Sequence, residues 1–385
     1  MLQQKCLALL LAVLLLTPPL LVTTASAAVT AATVSVDSPH AVLLDALSGE
    51  VLYAQDAEEK VYPASTTKIM TLVLALEAVA SGRVNLDDSV TATENACRLG
   101  GTQVYASPGE THSLKDWLVA VAVGSANDGS VVVAEHIAGS EERFAEMMND
   151  KAQELSMVNS HFVNPHGLHD DEHYTTALDM ARLARHAVTV PGLLDITGIY
   201  RTSFREGTFG LDNYNRLVHT YKGCDGLKTG HTSLAGFCLV ATAERERSRF
   251  IAVTMASSSA TERNSDIVRM LDYAFANYRS IGVAHKGEHL GTARVLKGLV
   301  EQVHVISPFQ YGLTVDKGEE EGIERQVIIH TLIAPVVMGQ PAGEIRLLRG
   351  DEVLHSFDLV AKEDVPRASF LHMWGKLLSI LLSGR

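Results

Sequence analysis

One stretch of the chain is apolar around the whole circumference of the helix that it predicts. Residues 67–79 carry Ile, Met, Leu, Val and Ala on nearly every face, with Glu77 as the single acid. A helix of this kind is stable only when other protein elements surround it. The chain must therefore build a large domain around residues 67–79, and its 385 residues with 46% apolar content are sufficient for this.

Segments with strand and helix patterns flank this helix in a definite order. Strands are expected at both ends of the first 280 residues and helices between them, which predicts a sheet covered by helices and completed by distant segments. The predicted helices cover residues 67–79, 114–123, 131–137, 142–155, 177–188 and 264–278, and the predicted strands cover residues 40–45, 50–54, 237–243 and 250–255.

The pattern changes after residue 282. Short segments of alternating apolar and polar residues follow one another, separated by glycine-rich turns. This spacing is typical of a small all-β domain of about 75 residues. The segments that we expect to form strands are residues 303–306, 326–332, 343–348 and 352–359.

Residues 1–27 have the features of a secretory signal peptide. Lys5 precedes an apolar run at 6–16, and small residues at 25–27 provide a cleavage site. Pro18 and Pro19 keep the apolar run below the about 20 residues that a membrane span needs. We therefore expect an exported protein at the outer face of the cytoplasmic membrane, on the periplasmic or extracellular side.

The C-terminal segment, residues 362–385, predicts an amphipathic helix. Apolar side chains recur at helical spacing from Phe370 to Leu381, and residues 365–385 include basic residues but no acid. The apolar stretch 370–382 is too short to span a bilayer, so we expect the helix to lie on the membrane surface. The alternative is a terminal helix that docks on the β-domain.

Charge and cysteine content exclude several classes of protein. The net charge of −13 argues against nucleic acid as a partner, because phosphate binding requires an excess of Lys and Arg. Phosphate-binding glycine motifs are absent from the sequence. Cys97, Cys224 and Cys238 are too few for a disulfide scaffold. A single Cys224–Cys238 bridge and three free thiols both remain open.

Ser-Thr-Thr-Lys at residues 65–68 is the first of three motifs whose side chains are suited to catalysis or substrate binding. A spacing of three places the Ser65 hydroxyl and the Lys68 amine on one face of a helix. A buried lysine has a lowered pKa, and its neutral amine can accept the serine proton. The pair therefore indicates a serine nucleophile with a lysine base.

The other two motifs follow in the same order along the chain. Ser125 and Asn127 lie in an expected loop, where a hydroxyl can relay a proton and an amide can bind a substrate amide. Lys228 and Thr229 can hold a carboxylate, and Gly230 allows a substrate backbone to pair along a strand edge. Taken singly, the second motif is also consistent with a helix cap, and the third with a turn at a strand edge.

The order and spacing of the three motifs resemble those of the penicillin-recognising serine enzymes. Within that superfamily the chain is similar to the serine-type D-alanyl-D-alanine carboxypeptidases, the low-molecular-mass penicillin-binding proteins. The resemblance extends over residues 36–361, and the further matching segments are residues 100–110, 164–168, 215–217 and 225–232. It implies an α+β, α-β sandwich catalytic domain at 28–280, a β-sandwich domain at 281–361 and a membrane-anchoring helix at 362–385.

The resemblance also implies roles for individual residues. Ser65 would attack the penultimate D-Ala carbonyl of peptidoglycan stem peptides, with Lys68 as general base. Ser125 would pass a proton to the departing D-Ala, and Asn127 would orient the peptide. β-Lactam antibiotics would trap Ser65, and no cofactor or metal is expected. The residues expected to bind the substrate, its carboxylate or its oxyanion are Lys228, Thr229, Gly230, His231 and Arg216.

Four alternative functions have different sequence support. A β-lactamase would need a Glu-x-x-Leu-Asn loop after the middle motif, which residues 154–165 do not contain. A D,D-endopeptidase would use the same acyl chemistry and stays open, as does a non-catalytic protein that binds the cell wall. A zinc peptidase could use His166, His169 and His173, but Pro165 prevents the helical spacing that such a site requires.

Overall fold

The computed structural model describes residues 34–375. The predicted signal peptide and the last ten residues of the predicted C-terminal helix lie outside the described residues. After a 3₁₀ turn at Ala64–Thr67, the helices are α1 Lys68–Ala80, α2 Glu94–Cys97, α3 Leu114–Val123, α4 Asn127–Ala138, α5 Glu141–Glu154, α6 Ala177–Ala187, α7 Leu193–Thr197, α8 Leu217–Thr220 and α9 Ala260–Asn277.

Seventeen strands are found in the described residues. The first nine are β1 His40–Asp45, β2 Val51–Gln55, β3 Ser89–Thr91, β4 Thr111–Ser113, β5 Arg201–Phe204, β6 Phe209–Asp212, β7 Cys224–Thr232, β8 Gly236–Arg245 and β9 Ser248–Ser257. The others are β10 Tyr278–Ala284, β11 His289–Leu296, β12 Gln302–Ile306, β13 Tyr311–Asp316, β14 Ile323–Ile329, β15 Leu332–Ile333, β16 Pro341–Arg349 and β17 Glu352–Ala361.

The central sheet has five antiparallel strands in the order β2-β1-β9-β8-β7. Successive side chains of a strand point to opposite faces, and both faces of this sheet are covered. Val42 and Leu44 enter the large core shared with the helices α1 to α7, whereas Ala41 and Leu43 enter a second core with α9. The predicted sheet with helices on its faces is therefore confirmed, with β7 at one edge.

The apolar helix α1 lies in the centre of the larger core. Every residue from 68 to 76 is at most 5% exposed, which includes Lys68 and Thr71. The prediction that this helix is buried on all sides is confirmed. Its first turn is tighter than expected, because Ala64–Thr67 forms a 3₁₀ turn before the α-helix begins.

Several predicted elements have different bounds in the structure, among them α9, which starts at Ala260 and not at residue 264. Two of these differences have a distant backbone partner as their cause. Helix α4 starts at Asn127 and not at residue 131, because Ala126 is extended and the Asn127 N–H donates to the Thr102 carbonyl. The predicted strand at 326–332 is divided, since β14 ends at Ile329 while Leu332 pairs with β11 in parallel. Neither change could be anticipated from local pattern, because a distant backbone partner determines each of them.

Strands β10–β17 form the C-terminal β-domain, which confirms the prediction of an all-β region. Six of them make one sheet in the order β14-β16-β17-β12-β11-β15, and β10 pairs with β13. Val305, Ile345 and Leu359 are fully buried in a core of their own. Within residues 34–375 we find no helix with the length and apolar character needed to cross a bilayer.

The cysteines of residues 34–375 are unpaired thiols. In the β7–β8 ladder, Cys238 lies opposite Gly230, six residues along the strand from Cys224. The two thiols also enter different cores, Cys224 on the α9 side of the sheet and Cys238 on the α1 side. A Cys224–Cys238 bridge is therefore excluded, because a disulfide needs Cα atoms within about 7 Å.

Candidate active site

The 3₁₀ turn at Ala64–Thr67 brings Ser65 and Lys68 together. A 3₁₀ helix has three residues per turn, so side chains three positions apart lie directly above one another. Lys68 Nζ is 3.0 Å from Ser65 Oγ, and Ser65 itself is half-buried at the surface of a cleft. The spacing recognised in the sequence is thus a direct contact in the structure.

Lys68 makes two further contacts, both shorter than the contact with Ser65. Its Nζ donates to Asn127 Oδ1 at 2.7 Å and to the His166 carbonyl at 2.6 Å. Complete burial holds the pKa of Lys68 well below its usual range, and the positive charge of Lys228 lowers it further. A neutral amine has two N–H donors for these oxygens and one lone pair left, which can face the Ser65 hydroxyl.

Ser125 lies in the junction between α3 and α4, and Asn127 is the first residue of α4. Both are nearly buried, and Ser125 has a left-handed backbone with φ of 57°. Asn127 Nδ2 donates to the Gly100 carbonyl at 2.8 Å, which orients its Oδ1 towards Lys68. Because Ser125 lines the same cleft as Ser65, the structure brings the first two predicted motifs together.

The third motif lies inside a strand that the sequence pattern did not predict. Lys228, Thr229 and Gly230 belong to the edge strand β7. Thr229 lines the cleft, but Lys228 is 2% exposed and its Nζ donates to the Thr229 carbonyl. Burial and the nearby charge of Arg263 lower the pKa of Lys228 to about 7. Contact of Lys228 with a substrate carboxylate stays a prediction.

Gly230 allows β7 to approach the serine turn closely. A Cβ at this position would lie 2.8 Å from the Pro63 carbonyl oxygen and 3.0 Å from the Ser65 backbone nitrogen. Contacts this short are not tolerated by real side chains, so only glycine fits between β7 and Ser65. The next residue, His231, is exposed at the mouth of the cleft.

A second glycine supports the turn from the opposite side. Gly167 has φ of +84°, and a Cβ there would lie 1.9 Å from the Ala64 carbonyl oxygen. Asn164 Oδ1 accepts hydrogen bonds from the backbone N–H groups of His166 and Gly167, which holds this loop in place. The loop therefore delivers the His166 carbonyl to Lys68.

The cleft above Ser65 has a volume of about 450 Å³. Two arginines line it. Arg216 is exposed and rests on Tyr200, whose hydroxyl accepts its hydrogen bond at 3.2 Å. Arg263, in the first turn of α9, is 6% exposed, and burial lowers its pKa to about 10.

Arg263 is the site residue that the sequence reasoning missed. It lies 35 positions after Lys228 in a segment with no recognised motif. Its only sequence signal is a basic residue at the start of an amphipathic helix, and many surface helices have such a residue.

The histidines of residues 161–173 have other partners. His173 Nδ1 accepts the Val163 N–H, so its Nε2 carries the proton and donates to Thr67 Oγ1 at 2.8 Å. Burial lowers the pKa of His173 to about 3, and His166 pairs with Glu141 at 3.1 Å. In the described part of the chain, no group of three or more His, Cys, Asp or Glu side chains could hold a metal ion.

The covered sheet, with Ser65 and Lys68 beneath its edge strand, has the fold of the penicillin-recognising serine enzymes. The chain belongs to the D-alanyl-D-alanine carboxypeptidase family, whose model matches residues 24–259. A model described as the C-terminal domain of penicillin-binding protein 5 matches residues 278–367. The resemblance inferred from the three motifs is confirmed.

Individual relatives and solved structures agree with this assignment. The D-alanyl-D-alanine carboxypeptidase DacF of Bacillus subtilis (strain 168) is 37% identical over 340 residues, which cover 87% of both chains. Penicillin binding protein 5 from Haemophilus influenzae aligns with a TM-score of 0.74 at 29% identity, over 86% of this chain and 98% of that one. Penicillin-Binding Protein D2 from Listeria monocytogenes, in an ampicillin-bound form, aligns with a TM-score of 0.58 at 30% identity, over 63% and 99%.

Proposed function

We propose that the chain is a serine-type carboxypeptidase that removes the terminal D-alanine from peptidoglycan stem peptides ending in D-Ala-D-Ala. Its family membership supports the substrate class. The observation that carries the mechanism is the contact of 3.0 Å between Ser65 Oγ and the fully buried Lys68 Nζ, whose pKa is held far below its usual range. A neutral lysine beside a serine hydroxyl is an activated nucleophile.

Acylation requires two proton transfers, one from Ser65 to Lys68 and one to the departing amine. Neutral Lys68 takes the proton of Ser65 as Oγ attacks the carbonyl carbon of the penultimate D-Ala. The tetrahedral intermediate then breaks its C–N bond, and the departing amine of the terminal D-Ala receives a proton through the Ser125 hydroxyl. The products are free D-Ala and an ester between Ser65 and the shortened peptide.

Deacylation follows the same steps in reverse, with water in place of the amine of D-Ala. Lys68 accepts a proton from water as the oxygen attacks the ester carbonyl, and the ester C–O bond breaks. Ser65 recovers its proton, and the peptide leaves with a new terminal carboxylate. Backbone N–H groups of Ser65 and His231 provide the oxyanion hole, the term that contributes most in acyl transfer.

Arg263 and Thr229 bind the carboxylate of the terminal D-Ala. Both line the cleft beside Ser65, and Arg263 is a cation that burial separates from bulk water. Charge-assisted hydrogen bonds to a carboxylate are about twice as strong as neutral ones. Arg216 provides a second positive charge at the exposed rim of the cleft. Penicillins carry a carboxylate and a reactive amide carbonyl, so they acylate Ser65 by the same route.

The first test measures D-alanine release from a capped Lys-D-Ala-D-Ala peptide. Parent and Ser65→Ala chains, residues 28–364, are assayed with and without excess EDTA. We expect release by the parent alone, unaffected by EDTA. Release that EDTA abolishes would contradict the serine mechanism, and no release by any chain would contradict the proposed activity.

Arg263→Ala tests how the carboxylate is bound. We expect KM for the peptide acid to rise by about 10- to 100-fold, the value of a lost charged hydrogen bond. Hydrolysis of the corresponding peptide amide, which lacks the carboxylate, should be unaffected. An equal loss on both substrates would exclude this role for Arg263.

We also propose that the protein is exported and held at the outer face of the cytoplasmic membrane by its C-terminal segment. Residues 370–375 begin a helix in which Phe370 and Trp374 are exposed. Membrane-surface helices combine such apolar residues with basic ones. Flotation of residues 28–385 and 28–369 with vesicles tests this, and equal flotation of both chains would contradict it.

A further inference from the structure

Exposed apolar side chains are concentrated at one end of the β-domain. Residues 34–375 contain seventeen large apolar side chains that are exposed, and ten belong to two loop regions and the C-terminal helical turn. Single exposed apolar residues are ordinary, but a cluster marks an interaction surface. The six outside the helical turn, which we call the apolar loop cluster, lie at the ends of β11 and β15 and in the loops that follow these strands: Leu296, Leu299, Val300, Ile333, Val337 and Met338.

Backbone hydrogen bonds join both loop regions to the segment that leads into the C-terminal helix. The Leu299 N–H donates to the Pro366 carbonyl at 2.9 Å. Val336 and Val365 exchange two hydrogen bonds of 3.0 and 2.9 Å. The apolar loop cluster and the helix that starts at residue 370 therefore lie at the same end of the β-domain.

Two cations at this end line a groove together with exposed aromatic side chains. Lys297 is the only charged residue in the stretches 296–300 and 333–338. Lys297 and Arg367 line a groove of about 470 Å³ together with Phe370 and Trp374. Three acids, Glu301, Glu363 and Asp364, adjoin this end in the sequence, and Asp364 uses its Oδ1 to accept the Met338 N–H. Cations beside exposed apolar and aromatic side chains match the headgroup and acyl layers of a membrane surface.

We propose that the apolar loop cluster inserts into the membrane surface beside the C-terminal helix, so that the β-domain itself contacts lipid. This rests on the proposed attachment of the C-terminal segment to the membrane. A short amphipathic helix on its own holds a protein weakly and lets it rotate. A second point of insertion on the folded β-domain adds apolar burial and fixes the direction in which the catalytic cleft faces.

The test measures partition of residues 28–385 onto vesicles of phosphatidylcholine and phosphatidylglycerol. The triple variant Ile333→Ser, Val337→Ser, Met338→Ser removes three exposed side chains of the cluster. We expect its partition coefficient to fall at least tenfold. The matched control, Val158→Ser, Phe309→Ser, Val353→Ser, removes three apolar side chains of similar exposure elsewhere and should change it less than twofold.

D-Ala release from a soluble peptide is measured for each variant, and it should equal that of the parent. This separates the inference from the proposed activity, because loss of catalysis and loss of lipid binding are then read independently. Unchanged partition of the triple variant would overturn the proposal. Tighter partition of the triple variant would also overturn the proposal, because it would mean that the cluster binds the C-terminal segment and keeps it from the lipid.

Tryptophan fluorescence gives a direct readout of insertion. Val337→Trp is made together with Trp374→Phe, and the remaining Trp117 is fully buried. Brominated lipids should quench Val337→Trp strongly and leave the control Val158→Trp, also made together with Trp374→Phe, unquenched. Absence of quenching at position 337, with vesicle binding intact, would show that the loops stay outside the lipid.

Discussion

The active site and the apolar loop cluster both differ from the usual pattern of polar side chains outside and apolar side chains inside, but in opposite ways. The first buries three basic side chains, Lys68, Lys228 and Arg263, each at most 6% exposed. The second exposes apolar side chains such as Val337 and Met338 to solvent. Burying charge and exposing apolar surface both oppose folding. Each region therefore has a functional role and not a stabilising one. Buried basic side chains indicate catalysis or anion binding, and exposed apolar side chains indicate a binding surface.

The two regions also differ in how the fold supports them. Three oxygens surround Lys68, and the core of the catalytic domain holds them in place. The exposed side chains of the apolar loop cluster do not belong to a core, and backbone pairing at the end of a sheet holds their loops in place. Substitutions should accordingly have large effects on activity at the first region and small effects on folding at the second.

The largest effect is expected at Lys68. Lys68→Met removes the base and should reduce kcat for D-Ala release by about 10³- to 10⁴-fold. Lys68→Arg places a permanently protonated guanidinium where the neutral amine stood and cannot accept the Ser65 proton, so it should lose as much. Steady-state kinetics and labelled penicillin measure this. Substantial activity in Lys68→Arg would contradict the role of a neutral amine.

Gly230→Ala should have the next largest effect. The new methyl group would lie 3.0 Å from the Ser65 nitrogen and force β7 away from the serine turn. We expect the free energy of unfolding to fall by about 1–3 kcal/mol, with a loss of kcat of at least about tenfold. Gly282→Ala is the matched control, because a Cβ there has open space around it. Equal behaviour of the two variants would rule out the steric argument.

Lys228→Met should change the pH dependence of kcat. The charge of Lys228 lowers the pKa of Lys68, so its removal should raise that pKa. Because the pKa of Lys228 is about 7, its charge is present below about pH 7 and is lost above it. The acid limb of the kcat profile should move to higher pH. The surface variant Lys115→Met should leave the profile in place, and an unmoved limb in Lys228→Met would refute the coupling.

The smallest effect is expected in the apolar loop cluster. Val337 is 62% exposed and its neighbour Val336 is 2% exposed, so they form a matched pair. Val337→Ser should change the free energy of unfolding by less than about 0.5 kcal/mol. Val336→Ser should destabilise by about 2 kcal/mol or more, because it removes buried methyl groups and adds a hydroxyl. Thermal unfolding compares them, and similar losses would mean that Val337 is packed in solution.

The sequence allowed most of the catalytic centre to be predicted. Ser65 and Lys68 are three residues apart, and a single helical turn is enough to bring them together. The buried helix α1 and the alternating strands of the β-domain follow from periodicity, which is also a local property. The order of the three motifs led to the family, and the comparisons confirm it.

Other parts of the site required the tertiary structure. Arg263 enters the cleft only because α9 packs across the sheet, and no local pattern encodes that packing. The burial of Lys228 depends on β7 being paired with β8, and the unpaired state of Cys224 and Cys238 depends on the same register. The apolar loop cluster forms because two loops distant in sequence pair with residues 365–368. Local sequence determines which residues are suited to catalysis or binding, whereas long-range packing determines which of them are brought into contact.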